Sequence, residues 1–469
     1  MSISSNIEFV KEFAKEHTFF VCQSQLYLVH NNQVLKYHSD KTKHIVNVEY
    51  QNQLNKLAPS NNYLMDNIES RVLAEELITY DTLYRRVMRI DNGIAYDLVE
   101  DNQVVVITKD GYQIQDKISS NMLNLLPSNV TKSQVVPVKS DESLTDLIES
   151  LTNFESKDDL LLFTVWLVSL LIPDLSSPIL ILLGEQGSGK SFTSEIAKRI
   201  IDPTTIGKQH SLKCVQDFAI LVSQSYMSII DNLSRVTDEM SDAMCQTVSK
   251  GQFTTRKLYT TEDVSTIDMK AKLIINGITI MNTKPDLLER SIVIHLEKLN
   301  QANIIEEEAL IKKLEDTLPN ILNHIFLAVS HVVDKIDSVQ ISIKPRMADF
   351  ARYATVIADY IGITQSDILG AYERNIKDVN DLIIDDPVIQ ALFGVLSSKQ
   401  NKFVGTATEL LSLMTELEYK DLPKAANSLS AKLTRLTSDL SKESITIKRT
   451  KDQTGNRLLE ITRSTAIQR

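Results

Sequence analysis

The 469 residues carry a net charge of -11 and are 43% hydrophobic, enough apolar material for roughly three folded domains of about 150 residues each. The acidic balance excludes nucleic-acid binding spread over the whole surface, because phosphate contacts need clustered Lys and Arg; any DNA contact must be local. Three widely spaced cysteines, Cys22, Cys214 and Cys245, form neither a C-x-x-C metal knuckle nor an even disulfide framework, which points to a reducing, cytoplasmic compartment.

The opening MSISSNIEFVKEF mixes acidic with apolar residues and has no basic n-region, so it does not read as a signal peptide. From Leu26 the chain alternates apolar and polar residues around turn signals (HNN, DNG, KDG), with Gly93 and Gly111 expected at turn positions of positive φ. This predicts a β-rich α+β domain over 1–125. The stretch 126–143 holds Pro127 and Pro137 and no sustained period, and reads as a linker. A helix is expected over Leu144–Leu171, then the strand PILILL. The apolar run from Leu160 to Leu183 is interrupted by Pro173, Asp174 and Pro178, so it reads as buried helix plus buried strand and no membrane contact is expected. Helical spacing at Ile304–Ile336 and Met347–Tyr360 predicts a helical lid that closes a domain over 144–380. Residues 385–469 begin with helices, carry a basic helix over Lys424–Leu440, and end in the strands ITIKRT and RLLEIT around a DQTG turn; this predicts a winged helix-turn-helix.

The middle of the chain carries the chemistry. Gly184-Glu-Gln-Gly-Ser-Gly-Lys-Ser191 matches G-x-x-x-x-G-K-S directly after an apolar strand and before a helical stretch. In a P-loop, Gly184, Gly187, Ser188 and Gly189 let backbone N–H groups close around phosphates. Lys190 then reaches the β- and γ-phosphates and the Ser191 hydroxyl ligates Mg²⁺. About forty residues on, YMSIID ends an apolar strand in Asp231, the carboxylate expected to hold hydrated Mg²⁺. KLIIN ends another in Asn276, placed as a sensor of the γ-phosphate. Arg290, in DLLERS, fits an arginine finger that reaches a neighbouring subunit's nucleotide in a head-to-tail ring; the alternative is a salt bridge with Glu289 or Asp286. The cofactors expected are ATP and Mg²⁺.

GEQGSGKS, SIIDNLS, KLIINGI and DLLERSIVI together resemble the AAA+ helicases of mobile genetic elements, above all the Rep initiator-helicases of staphylococcal pathogenicity islands and cassette elements. The resemblance covers roughly residues 145 to 380 and extends loosely to the C-terminal unit. It implies a P-loop AAA+ core, a hexameric ring around single-stranded DNA, origin recognition by an appended domain, and a β-hairpin that enters the pore. A hairpin is visible in FTTRKLY, a TTED turn and the run from Val264 to Met269. Arg256, Lys257, Lys250 and Lys270 are placed there to meet phosphates, and Tyr259 to stack on a base. The acidic turn Glu262-Asp263 favours the alternative, an ordinary hairpin. The resemblance also makes Arg346 a sensor-2 arginine, with Arg352 as competitor. In the terminal unit Lys432, Arg435, Lys448 and Arg449 are the candidate duplex contacts.

One position departs from the pattern. Asn232 stands where a second acid would polarise the attacking water, which leaves Glu185, Glu239 or the phosphate itself as proton acceptor. The expected function is therefore an ATP-dependent DNA helicase and replication initiator of a mobile element. The rivals are an ATP-switched initiator or loader without unwinding, and a protein-remodelling ATPase. A primase role finds no zinc-knuckle cysteines or clustered acid pair to support it.

Overall fold

The computed structural model describes residues 2–464 apart from 32, 60–61, 210–211, 213, 233–235, 250, 257–263, 278–283, 299–305, 342–344, 385, 421, 452–454 and 456. The first eighty residues run α1 (Ser2–Glu16), β1 (Thr18–Cys22), β2 (Gln25–His30), β3 (Gln33–Lys36), α2 (Asp40–Leu54), α3 (Tyr63–Val72) and β4 (Ile78–Tyr80). The sheet order is β3-β2-β1-β4, and only the β1–β4 pair is parallel. Phe9 and Phe13 lie one helical turn apart on α1 and meet Phe19, Leu28, Tyr37, Tyr50 and Ile68 in a core of their own.

A second antiparallel sheet follows, β5 (Val87–Ile90), β6 (Gly93–Asp97), β7 (Gln103–Thr108) and β8 (Gly111–Asp116), paired in chain order. Gly111 has the expected positive φ of 122°. Gly93 is needed for a different reason: a Cβ there would lie 1.9 Å from the Ile107 carbonyl oxygen across the strand pair. Ile94, Tyr96, Val105 and Ile107 do not join the N-terminal core but pack into the one that fills the middle of the molecule. The 1–125 stretch thus contains two sheets whose interiors are separate.

The expected linker is a fitted strap. Gln134 is buried, and its side-chain amide donates to the Arg199 and Ile200 carbonyls, each at 3.0 Å. Arg86 binds the Lys132 carbonyl at 2.8 Å, and Val138 N–H donates to the Pro319 carbonyl. Two prolines without a period exclude regular structure; they do not exclude packing.

The expected helix over Leu144–Leu171 is two, α4 (Leu144–Glu149) and α5 (Lys157–Ser169). Ser143 and Ser156 each cap one by accepting the backbone N–H three residues on, at 3.1 Å. Every residue from Asp159 to Ser169 is buried, so α5 is a core helix surrounded on all sides. Among the described residues no helix is long and apolar enough to cross a membrane.

Then come β9 (Ile179–Leu183), α6 (Lys190–Ile201), α7 (Val215–Gln224), β10 (Met227–Ile230), α8 (Asp238–Val248), β11 (Gln252–Arg256), β12 (Val264–Asp268), β13 (Lys272–Asn276), α9 (Pro285–Leu288) and β14 (Ser291–His295). A parallel sheet in the order β10-β13-β9-β14 lies at the centre. Residues of β9, β10 and β13 are buried throughout, as continuous apolar runs in a two-sided parallel sheet demand. β11 and β12 form the expected hairpin, in register from Gln252–Asp268 to Arg256–Val264. The two segments of helical spacing appear as α10 (Glu307–Lys335) and α11 (Ala348–Tyr360), followed by α12 (Gln365–Ile384).

The final unit is α13 (Pro387–Ser398), β15 (Lys402–Gly405), α14 (Ala407–Glu416), α15 (Ala426–Arg435), α16 (Thr437–Lys442), β16 (Ile445–Lys451) and β17 (Arg457–Arg463). Its sheet order is β15-β17-β16, all antiparallel. The basic helix expected over Lys424–Leu440 is interrupted after Arg435, and β15 completes a sheet of which only two strands are expected.

Candidate functional site

The C-terminal ends of β9, β10 and β13 point into one cavity of about 740 Å³. Between β9 and α6 the chain turns through Gly184–Gly189. A Cβ on Gly184 would meet Ser188 Oγ at 2.5 Å and the Leu296 carbonyl at 2.9 Å, so no larger residue fits there. Gly189, at φ 81°, caps α6 in the left-handed region. Asn153 fastens the loop from outside, its amide donating to the carbonyls of Ser188 at 3.0 Å and Glu297 at 2.7 Å. This residue was not anticipated. Its signal is the break between α4 and α5, a Thr-Asn inside what looks like one apolar helix.

Lys190 folds its ammonium over the loop, donating to the carbonyls of Gly184 at 2.6 Å and Glu185 at 2.7 Å and to Ser188 Oγ at 3.3 Å. Partial burial lowers its pKa, and the Asp231 carboxylate opposes that shift. Ser191 Oγ shares its one proton between the Asp231 oxygens, at 3.0 and 2.9 Å. Asn276 Nδ2 donates to Asp231 Oδ1 and to Ser194 Oγ, both at 3.0 Å. Asn276 Oδ1 is buried without a hydrogen-bond partner among the described residues, an acceptor left beside the carboxylate. The pairing explains the convergence: β13 lies between β9 and β10, with Ile230 level with Ile275 and Asn276 level with Leu182.

Asn232 is exposed, lines the cavity and has φ 55°; its N–H donates to Asp231 Oδ1 at 3.0 Å. The two candidate bases stand elsewhere. Glu185 is fully exposed and pairs with Lys298 at 2.6 Å, which holds its carboxyl below the usual range. Glu239 is exposed on the first turn of α8. Neither lines the cavity, whereas Glu307 on α10 and Lys208 do. Both escaped the sequence reading because no motif surrounds them.

The two arginines lie outside this cavity. Arg290 Nε pairs with Asp286 at 3.2 Å, the anticipated alternative, and its other nitrogen reaches Ser249 Oγ at 2.9 Å. Arg346, in the turn before α11, bridges Asp286 and Glu289. Asp286 thus holds both guanidinium groups, and Glu289 is a second partner of Arg346. Arg352 instead binds the Val339 carbonyl at 3.0 Å and the Ile336 carbonyl at the end of α10, a helix-terminating role.

Of the expected DNA contacts, Lys250, Lys257 and Tyr259 lie outside the described residues, as do the side chains of Arg256 and Arg435. Lys270 is exposed, 3.6 Å from Asp268. Lys448 and Arg449 are exposed on β16, and Arg449 reaches Thr434 Oγ1 at 2.5 Å. Lys432 departs from expectation. It pairs at 2.7 Å with Asp386, the side chains being 19% and 10% exposed, and Asp386 is the N-cap of α13. Its charge is turned into the seam between helices, because the adjacent Leu429 and Leu433 are fully buried there.

Comparison with known proteins places the chain. Residues 145–382 match the family described as the actinomycete integrative conjugative element replication protein, and residues 388–469 match its C-terminal domain. Solved structures of the NrS-1 C-terminal region are similar at low level. One apo form is 14% identical with a TM-score of 0.42, covering 97% of this chain and 98% of that one. Another, of residues 305–718, is 12% identical with a TM-score of 0.41, covering 98% and 99%. No curated protein matches. Fold and matches together define a multidomain, mixed α/β replication protein. The chain belongs to the family of actinomycete integrative conjugative element replication proteins, where the sequence alone pointed to staphylococcal relatives.

Proposed function

We propose that this replication protein is a Mg²⁺-dependent ATPase of the AAA+ type that moves on DNA as a ring and unwinds it, as the likeness to mobile-element helicases implies. One observation carries the reading. The glycine loop, Lys190, the Ser191–Asp231 pair and Asn276 converge on one cavity from three adjacent parallel strands. The donor set fits a hydrated magnesium ion, which would be held by a hydroxyl and a carboxylate within hydrogen-bond reach of each other, with the orphaned Asn276 Oδ1 beside them able to accept from a water. The Gly184 cradle, which a Cβ would fill, fits a phosphate against backbone.

On this reading Lys190 would exchange its loop carbonyls for β- and γ-phosphate oxygens, and Ser191 and Asp231 would hold Mg²⁺. The metal, when bound, neutralises the charge that develops on the phosphates. Asn276 and Asn232 orient the attacking water. An amide accepts no proton, so the proton goes to the phosphate or to a carboxylate at the cavity, of which Glu307 is better placed than Glu185 or Glu239. The family's role in replication supports DNA as partner. The helix-strand-helix-helix-helix-strand-strand order of residues 387–463, with β15 beside β17, supports a winged helix there.

The test is ATP turnover and strand displacement on forked DNA. Turnover stimulated by DNA with displacement supports the helicase; turnover without displacement supports a switched initiator or loader. Turnover indifferent to DNA supports protein remodelling, and no turnover overturns the ATPase reading.

Arg290 and Arg346 stand off their own cavity, which supports service to a neighbouring subunit. Mixing Arg290→Ala with Lys190→Ala protein is then expected to restore part of the hydrolysis that each lacks alone, since some interfaces pair an intact loop with an intact arginine. Zero recovery in rings shown to be mixed would remove Arg290 from the mechanism.

With Lys432 occupied by Asp386, the duplex contact falls to the strand pair. Replacing Lys448 and Arg449 by Ala is expected to weaken duplex binding and flatten the plot of log affinity against log salt by up to about two. Lys432→Ala is expected to leave that slope unchanged. A salt titration of all three proteins decides between them.

A further inference from the structure

We propose that His17, His30 and Glu49 form a site for a divalent transition-metal ion, zinc foremost, that pins the N-terminal lobe together. The three come from different elements: His17 from the turn after α1, His30 from the end of β2, and Glu49 from α2. His17 Nε2 lies 3.1 Å from His30 Nδ1 and 3.4 Å from Glu49 Oε1, and His30 Nδ1 lies 3.3 Å from the same oxygen. Zinc–nitrogen and zinc–oxygen bonds of about 2.0–2.1 Å set neighbouring ligands of a tetrahedron about 3.3–3.4 Å apart. The triangle therefore already has the size of one tetrahedral face.

The surroundings prepare these atoms as ligands. His17 Nδ1 lies 3.1 Å from the Phe13 carbonyl, which can only accept; the proton is therefore on Nδ1, and the Nε2 lone pair faces the other two groups. Metal-bound histidines are commonly oriented by such a bond from the opposite nitrogen. The Phe13 ring stacks on His17 at 4.1 Å and fixes its plane. On His30 the other nitrogen, Nε2, accepts from Asn31 Nδ2 at 2.9 Å, which puts the proton of the metal-free site on Nδ1, facing His17 Nε2. Metal binding displaces that proton, and turning the exposed Asn31 amide over lets its oxygen accept from Nε2–H.

The imidazoles are 12% and 17% exposed and the carboxylate 32%, so an ion would be held by three protein ligands with a fourth position open to water. Two imidazoles and one carboxylate suit zinc, cobalt, nickel or copper and disfavour magnesium and calcium, which take oxygen ligands. A single shared proton is the competing occupant of the same triangle, and metal binding would displace it.

The test uses the full chain, free of nucleotide and stripped with a chelator, titrated with Co²⁺. One equivalent is expected to develop the visible ligand-field bands of a four-coordinate site, and Zn²⁺ is expected to displace it. His17→Ala, His30→Ala and Glu49→Gln should each weaken binding by at least tenfold, with far-ultraviolet circular dichroism checking the fold. Glu49→Gln removes a partly exposed carboxylate and keeps its shape, so it remains informative if a histidine variant misfolds. Asp231→Ala, which alters the oxygen-rich site, is expected to leave the bands in place. No bands with the wild-type chain, or bands that persist in Glu49→Gln and both histidine variants, would overturn the site and leave a proton-bridged cluster.

Discussion

Lys190→Ala is expected to lower ATP hydrolysis by at least about a hundredfold, the scale on which loss of one charge-stabilising donor is felt in a transition state. The side chain is a point charge whose described bonds go to the oxygens of its own loop. It carries no core packing, so the alanine variant should fold normally. The loop keeps its shape without it, because Asn153 holds it from outside and Gly184 and Gly189 set its backbone. Phosphate release measured beside circular dichroism checks the expectation. Wild-type turnover in a folded Lys190→Ala protein would sink the ATPase reading and with it the ring mechanism.

Arg86→Ala is expected to cost about 3–5 kcal/mol of stability, the usual penalty for removing one partner of a buried ion pair. Arg86 and Asp202 are 0% and 1% exposed and 3.0 Å apart. The guanidinium also donates to the carbonyls of Asp97, Lys132 and Pro203, so its loss leaves a carboxylate and three carbonyls short of a donor. Its backbone is left-handed, φ 56°, a conformation that these bonds must hold against its own cost. Asp202 in turn closes α6 and accepts from Met227 N–H at the start of β10 at 3.0 Å. One buried pair thus joins the antiparallel sheet to the helix after the glycine loop and to the strand that ends at Asp231. Arg86→Met with Asp202→Asn should recover part of the loss, since no lone charge remains and the Asn oxygen can still accept from Met227. Denaturant unfolding of the single and double variants checks this; equal losses in both would show that the hydrogen bonds to the three carbonyls, and not the charge pairing, are what Arg86 supplies.

Much of the site was legible because it is local. Gly184 to Ser191, Asp231 and Asn276 each sit at the end of an apolar run, and a run of buried residues in a parallel strand needs no partner to be recognised. Asn153, Lys208 and Glu307 were not legible, since they reach the loop or cavity from segments with no motif. The arginines were legible as residues but not as contacts. Arg290, Arg346 and Arg352 look alike in sequence, and only packing sends the first two to Asp286 and the third to the end of α10.

The sequence by itself determined the parallel α/β core, the glycine loop with its lysine, serine and acidic strand, the hairpin and the helices α10 and α11, because hydrophobic period and turn chemistry are read over a few residues. Tertiary structure alone decided that β5–β8 pack with the central core and that the proline-bearing stretch 126–143 is a fitted strap. It also turned Lys432 inward and brought His17, His30 and Glu49 within 3.4 Å of one another. These are contacts between residues far apart in the chain. Their energy comes from burying surface and satisfying polar groups across elements, which no local pattern records.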